Sequence, residues 1–182
     1  MSSTVSKGEA VAATRAWLEA EVIGLNLCPF AQAVHVAGQI RYVVSEAGTT
    51  EALRADLVAE LRLLATLDAA EVDTTLLIHP DVLNDFLEYN DFLDVADAAL
   101  RSLGFVGEFQ IASFHPRYQF AGTGPEDLSN RTNRSPYPML HLLREASITR
   151  AVAAHPDAAG IPDRNLETLR RLAAGLPKAG GG

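Results

Sequence analysis

The sequence predicts an α/β fold: a small three-stranded, mainly parallel sheet built from βαβ units, covered by about five helices and forming a single domain. Three observations predict it. Apolar runs rich in residues that favour strands lie at positions 40–45, 74–78 and 108–114. Helical patterns separate them, and strand–helix–strand–helix–strand is the order that parallel βαβ units produce. The second and third runs both end in His-Pro, at His79-Pro80 and His115-Pro116, as equivalent strand ends would.

The elements follow in order. Residues 1–7 are expected to be disordered. From residue 8, Val11, Thr14, Trp17, Leu18 and Val22 recur at three- and four-residue steps and give a helix one apolar face. Gly24 is the expected stop, because glycine accepts the left-handed conformation that follows many helices. Pro29 opens a short helix over 29–35 and pushes Cys28 towards extended backbone. After the strand at 40–45, Thr49 or Thr50 caps a helix with Leu53, Leu57, Leu61 and Leu64 facing the core. The apolar run at 74–78 reads as a buried strand. A helix over 82–103 turns Phe86, Leu93, Ala96, Leu100 and Leu103 inward and a row of aspartates and glutamates outward, a solvated face. The strand at 108–114 leads into a long Gly- and Pro-rich loop, 115–137, of a length that is usually functional or disordered. Pro138 starts a fourth long helix, carrying Leu140, Leu143, Ala146 and Ala151 to about His155. Pro162 or Asp163 opens the last helix, which Gly175 closes, and 176–182 are expected to be disordered.

Composition narrows the function. With 48% hydrophobic and 21% charged residues, the chain is ordinary for a globular domain. Its net charge of −8 argues against nucleic acid and against an anionic membrane surface as partners. No apolar run approaches the roughly 20 residues of a spanning helix, and the N-terminus lacks a signal peptide's apolar segment, so a cytoplasmic location is expected. A single cysteine, Cys28, rules out an internal disulfide and a multi-cysteine zinc site. Gly122-Thr123-Gly124 is too short for a phosphate loop, and no nucleotide-cofactor motif or serine elbow is present.

The candidate chemistry gathers between Gln110 and Glu145. In parallel α/β sheets, ligands bind outside the carboxyl ends of the strands. Parallel strands would bring His79 and His115 to one edge, although a His-Pro exit can equally make a self-satisfied turn. His141, one turn into the expected fourth helix, adds a third imidazole, with Arg144 and Glu145 on the same face at i+3 and i+4. His79, His115 and His141 are therefore candidate ligands for a divalent transition metal (zinc or iron, copper as a third choice), with Cys28 or Glu145 as a further ligand. The metal would support an oxidoreductase or hydrolase reaction. Arg117, Arg131, Arg134 and Arg144 have the fork that holds carboxylate or phosphate, and Asn130 and Asn133 supply amides, so the expected substrate is a small anionic molecule. The same arginines could instead clamp the loop by bonding backbone carbonyls and nearby acids. A second reading makes Cys28 the nucleophile of a thiol enzyme, its thiolate favoured by a helix start and His115 or His141 acting as base. A third makes the loop a non-catalytic metabolite-binding surface with structural histidines.

LNLCPFA at 25–31, TTLLIHP at 74–80, QIASFHPRYQFAGT at 110–123 and SNRTNRSPYPMLHLLREASI at 129–148 together resemble a bacterial domain-of-unknown-function family, number fourteen-fifteen. The likeness runs from Trp17 to Leu169, implies one intact domain and transfers no mechanism. The CPFA stretch alone is similar to the active-site start of glutaredoxin-like and omega-type glutathione transferase domains. It departs from them in having a helix directly before the motif and no second cysteine.

Overall fold

Ser6 starts the first helix, α1 (Lys7–Trp17), through a capping box in which its hydroxyl accepts from the Glu9 amide while the Glu9 carboxylate accepts from the Ser6 amide. The computed structural model describes residues 5–176. Ser6 and Lys7 are thus part of a helix and not of a disordered end. The rest of the expected disorder, apart from Val5 and Leu176, falls outside the described residues.

Beyond Trp17 the helix widens into a π-helical turn, Leu18–Ile23. Ala10, Thr14, Leu18 and Val22 are buried at intervals of four along this combined helix. Four residues overshoot a turn of α-helix and undershoot a turn of the wider π form, so the change of winding keeps the stripe facing inward. Gly24 does end the segment, but not as expected: its φ is −57°. A side chain there would collide with the Ala20 carbonyl oxygen, so glycine is needed for the close approach of backbone to backbone.

A short helix, α2 (Ala31–Val36), leads to strand β1 (Ile40–Val44). Helix α3 (Thr50–Thr66) is capped by the Thr49 hydroxyl and buries Leu53, Leu57, Leu61 and Leu64. Strand β2 (Thr74–Ile78) is buried throughout. Helix α4 (Phe86–Ser102) starts at an Asp85 cap, four residues later than its periodicity suggests, because 80–85 form a loop with Leu83 left-handed at φ +61°. Strand β3 (Phe109–Phe114) follows.

The largest correction concerns 138–144. The sequence suggests helix there, whereas Met139–Arg144 is strand β4, and only Glu145–Ala154 is helix, α5. No residue in Met-Leu-His-Leu-Leu-Arg is β-branched, so local propensity favours helix. Pairing on both sides overrides it: β4 bonds antiparallel to β2 and to β3. The sheet is therefore four-stranded and mixed, in the order β1-β2-β4-β3. Because β1 is parallel to β2 and β4 opposes both of its neighbours, β1, β2 and β3 all run the same way. The βαβ reading holds for them, with a reversed strand inserted between the second and third.

Helices α3 and α4 cover one face, over a core that includes Leu77, Tyr89, Phe92, Phe109, Leu140 and Leu142. The other face carries Leu76, Ile78 and Met139 against Ala10 and Trp17 of α1. The last helix, α6 (Ile161–Ala173), buries Leu169 and is tied to the turn after α1 by Asn165, whose amide donates to the Leu27 carbonyl at 2.8 Å. No helix among the described residues is long and apolar enough to cross a membrane.

Candidate functional site

His79 and His115 do arrive at one edge of the sheet, at the carboxyl ends of β2 and β3, and both are fully buried on the α4 face. Tyr89 lies between them, its ring centroid 5.9 Å from that of His79 and 5.0 Å from that of His115. His79 Nδ1–H donates to the Val82 carbonyl at 2.9 Å. His115 Nε2–H donates to the Leu83 carbonyl at 3.1 Å, and its Nδ1 accepts from the Arg117 amide at 3.0 Å. Two imidazoles from co-directional strands on either side of β4 thus hold the strained 80–85 loop. Burial pushes His79 down to about 4 and also lowers His115, where the Leu83 carbonyl opposes the effect. The Tyr89 hydroxyl donates to the Met139 carbonyl at 2.8 Å and accepts from the Phe114 amide at 3.0 Å, and burial holds its phenol far above the usual range.

His141 does not join them. It sits in mid-strand on the face that carries Met139, its ring 6.0 Å from that of Phe114, with the sheet between it and the other two. The Thr74 hydroxyl donates to the Leu142 carbonyl at 2.6 Å and so accepts from His141 Nε2 at 2.7 Å. Burial takes His141 down to about 4. Arg144 and Glu145 are further still, because β4 runs from the His79–His115 edge to the opposite one, where Arg144 pairs with Phe109. The Arg144 guanidinium donates to the carbonyls of Leu64, Leu67 and Val72 at 2.8–3.0 Å, closing the end of α3. Glu145 opens α5, and the extended backbone before it leaves His141 and Glu145 without the shared helical face expected of them.

The proposed metal donors therefore do not fit a metal. Among the described residues no three His, Cys, Asp or Glu side chains are arranged to hold one. Both nitrogens of His115 are engaged, and of the candidate donor atoms among the described residues only the Nε2 of His79 is buried without a partner. Cys28 fits a nucleophile no better. It lies two residues ahead of the Phe30 that caps α2, and burial pushes its thiol up despite hydrogen bonds from the Phe30 and Ala31 amides.

The 115–137 loop is not loose. The fully buried Asn130 accepts from the Phe120 amide and the Thr123 hydroxyl, both at 2.9 Å, and donates to the Gly124 carbonyl at 2.8 Å. The Asn133 amide donates to the Ser113 carbonyl at 2.9 Å, and the Asn133 carbonyl accepts from the His115 amide. These two asparagines fasten the loop rather than a ligand. Arg117 is exposed beside them.

The loop instead closes one wall of a cleft of about 440 Å³ against α1. Trp17 and Glu21 come from the helix, and Glu126, Asp127, Leu128, Arg131, Arg134 and Ser135 from the loop. A two-turn 3₁₀ segment, Leu128–Asn133, capped by the Asp127 carboxylate, presents Arg131. Arg131 grips Glu21 through two bonds, at 2.9 and 3.1 Å. Arg134 donates from Nε to the Tyr118 carbonyl at 3.1 Å and from Nη2 to the Pro125 carbonyl at 2.7 Å. Neither Nη1 donates to a described residue. Trp17 packs edge-on against Phe114, ring centroids 5.4 Å apart. Sequence reading found the loop and its arginines but not Trp17 or Glu21, because the Glu21–Arg131 pair spans 110 positions and leaves no local pattern. The winding change after Trp17 is the structural signal, since π-helical turns frequently mark functional sites.

Residues 9–177 match the family described as protein of unknown function (DUF1415). The chain belongs to this family. The DUF1415 match runs from α1 to beyond α6 and takes in both walls of the cleft. Comparison with curated proteins and with solved structures gives no match.

Proposed function

We propose that this DUF1415 chain binds a small organic anion in the cleft between α1 and the 115–137 loop. The observation that carries the reading is the state of two guanidinium groups. Arg131 and Arg134 each have Nε and Nη2 bonded to protein, which fixes the plane of the fork, while each Nη1 remains for a ligand. A cation held rigid by its own protein loses little entropy on meeting an anion. Trp17 and Leu128 supply an apolar wall, and the volume lies in the range of small-molecule sites. Of the three readings open from the sequence, metabolite binding is the one these groups support, and it needs no metal and no thiolate.

Trp17 is the sole tryptophan, so its fluorescence reports the cleft directly. Titration with phenylacetate should give a saturable change in Trp17 emission. Arg134→Gln removes one charge-assisted bond, worth about 1.5–3 kcal/mol, and should weaken binding by about tenfold or more. An unsaturable response to small carboxylates in the wild type, or equal affinity in Arg134→Gln, would overturn the reading.

A further inference from the structure

We infer that the ligand of this cleft is a zwitterion: an amino carboxylate whose apolar side chain lies on Trp17. The inference rests on the anion-binding reading above and adds the second charge. Three carboxylates, Glu21, Glu126 and Asp127, line the same space as the two guanidinium groups. Glu21 and Arg131 neutralise each other, which leaves Arg134 as the cleft guanidinium without a carboxylate partner among the described residues. Asp127 uses Oδ1 for the Ser129 amide and hydroxyl and feels the charge of Arg170, while its Oδ2 accepts no hydrogen bond from a described residue. The Glu126 carboxylate makes no hydrogen bond or ion pair with a described residue and is exposed on the cleft rim. A simple anion placed on the two Nη1 groups would thus share the cleft with the carboxylates of Glu126 and Asp127, and like charges in one cleft repel. A phosphate, with its greater charge, would fare worse. An ammonium group next to the carboxylate turns the same two oxygens into acceptors, as electrostatic complementarity requires of a specific site. The arrangement therefore assigns the ligand carboxylate to Arg131 and Arg134, the ammonium to Glu126 with Asp127 beside it, and the side chain to Trp17 and Leu128.

Three probes built on one phenylethyl frame separate the charges: phenylalanine carries both, N-acetylphenylalanine only the carboxylate, and phenethylamine only the ammonium. Trp17 emission, titrated with each on the full chain, should show phenylalanine binding about tenfold tighter than either relative, the loss expected when one charged contact goes. In Glu126→Gln, a surface change that spares the fold, the ratio of phenylalanine to N-acetylphenylalanine affinity should fall towards one. Equal binding of phenylalanine and N-acetylphenylalanine in the wild type would overturn the zwitterion and leave the anion site standing. An unchanged ratio in Glu126→Gln would overturn the assignment of the ammonium. Saturation by phenethylamine alone, or by none of the three, would overturn both the zwitterion and the anion site.

Discussion

The Arg144 guanidinium meets the carbonyls of Leu64, Leu67 and Val72, groups left over where α3 ends and the chain turns to β2. Methionine keeps much of the length and removes every donor. Arg144→Met should lower stability by about 1–3 kcal/mol, the cost of leaving partly buried acceptors unmet, seen as a fall in urea midpoint. Trp17 fluorescence should still respond to ligand, because Arg144 lies at the far end of β4. Tyr89→Phe tests the same physics at the other edge. It strands the Met139 carbonyl and the Phe114 amide where β3 and β4 pair, and should also cost about 1–3 kcal/mol by urea denaturation. A sequence displays the charge of Arg144 and the hydroxyl of Tyr89 but not the partners that consume them. Those partners lie 72–80 positions away for Arg144 and 25–50 for Tyr89. Of the six loop and strand residues read as ligand-binding, Asn130, Asn133 and Arg144 prove to be fasteners for this reason, and Arg131 and Arg134 both fasten the loop and line the cleft.

At the scale of elements, periodicity located α3, α4 and the three co-directional strands because each follows one rule along its length. The leucines of α3 repeat at three and four, and β2 is apolar throughout. Two places break that consistency. Residues 139–144 satisfy a helical pattern yet occupy a slot between two strands, a fact of tertiary pairing that no window on the sequence contains. The turn after Trp17 satisfies an α-helical pattern yet winds wider, and Gly24 is what lets it end. In Gly24→Ala the new methyl would overlap the Ala20 carbonyl, so backbone must move and not merely a side chain. The variant should lose about 1–3 kcal/mol in chemical denaturation, the range for forced overpacking. It should also shift Trp17 emission before any ligand is added, because the strain falls in the turn that follows that residue. Unchanged stability and emission would show that Gly24 is there for another reason.

Over the whole molecule, the histidines bear on stability more than on chemistry. His79 and His141 have folded values of about 4 against an ordinary 6.5, each lowered chiefly by burial. Above 6.5 both are neutral whether folded or not, and their contribution is flat. As pH falls from 6.5 towards 4, the unfolded chain takes up protons that the folded chain refuses, so stability declines through that window and levels off below it. The shift at the fully buried His79 corresponds to about 3 kcal/mol, and that at His141 to less, since that residue is only partly buried. The urea midpoint should therefore be constant from pH 8 to 7 and fall steadily from 6.5 to 4.5. A flat profile to pH 4.5 would mean that these imidazoles ionise in place. The co-directional run of β2 and β3, and with it the meeting of His79 and His115 at one edge, was legible from the βαβ pattern. The cleft was half legible, since its loop wall declares itself by composition while its helix wall depends on how α1 lies across the sheet.

The insertion of β4 also bears on how the chain comes to be assembled. Residues 139–144 are made late, yet they form the interior of the sheet and hold β2 and β3 together. Until they emerge from the ribosome, β1 and β2 can pair, but β3 has no neighbour to bond. The stretch before β4 is a set of helices and strands awaiting a keystone, with the inner edge of β2 and both edges of β3 open to wrong partners. Such a molecule is most at risk of aggregation while it is being synthesised, and most in need of a chaperone just before β4 appears.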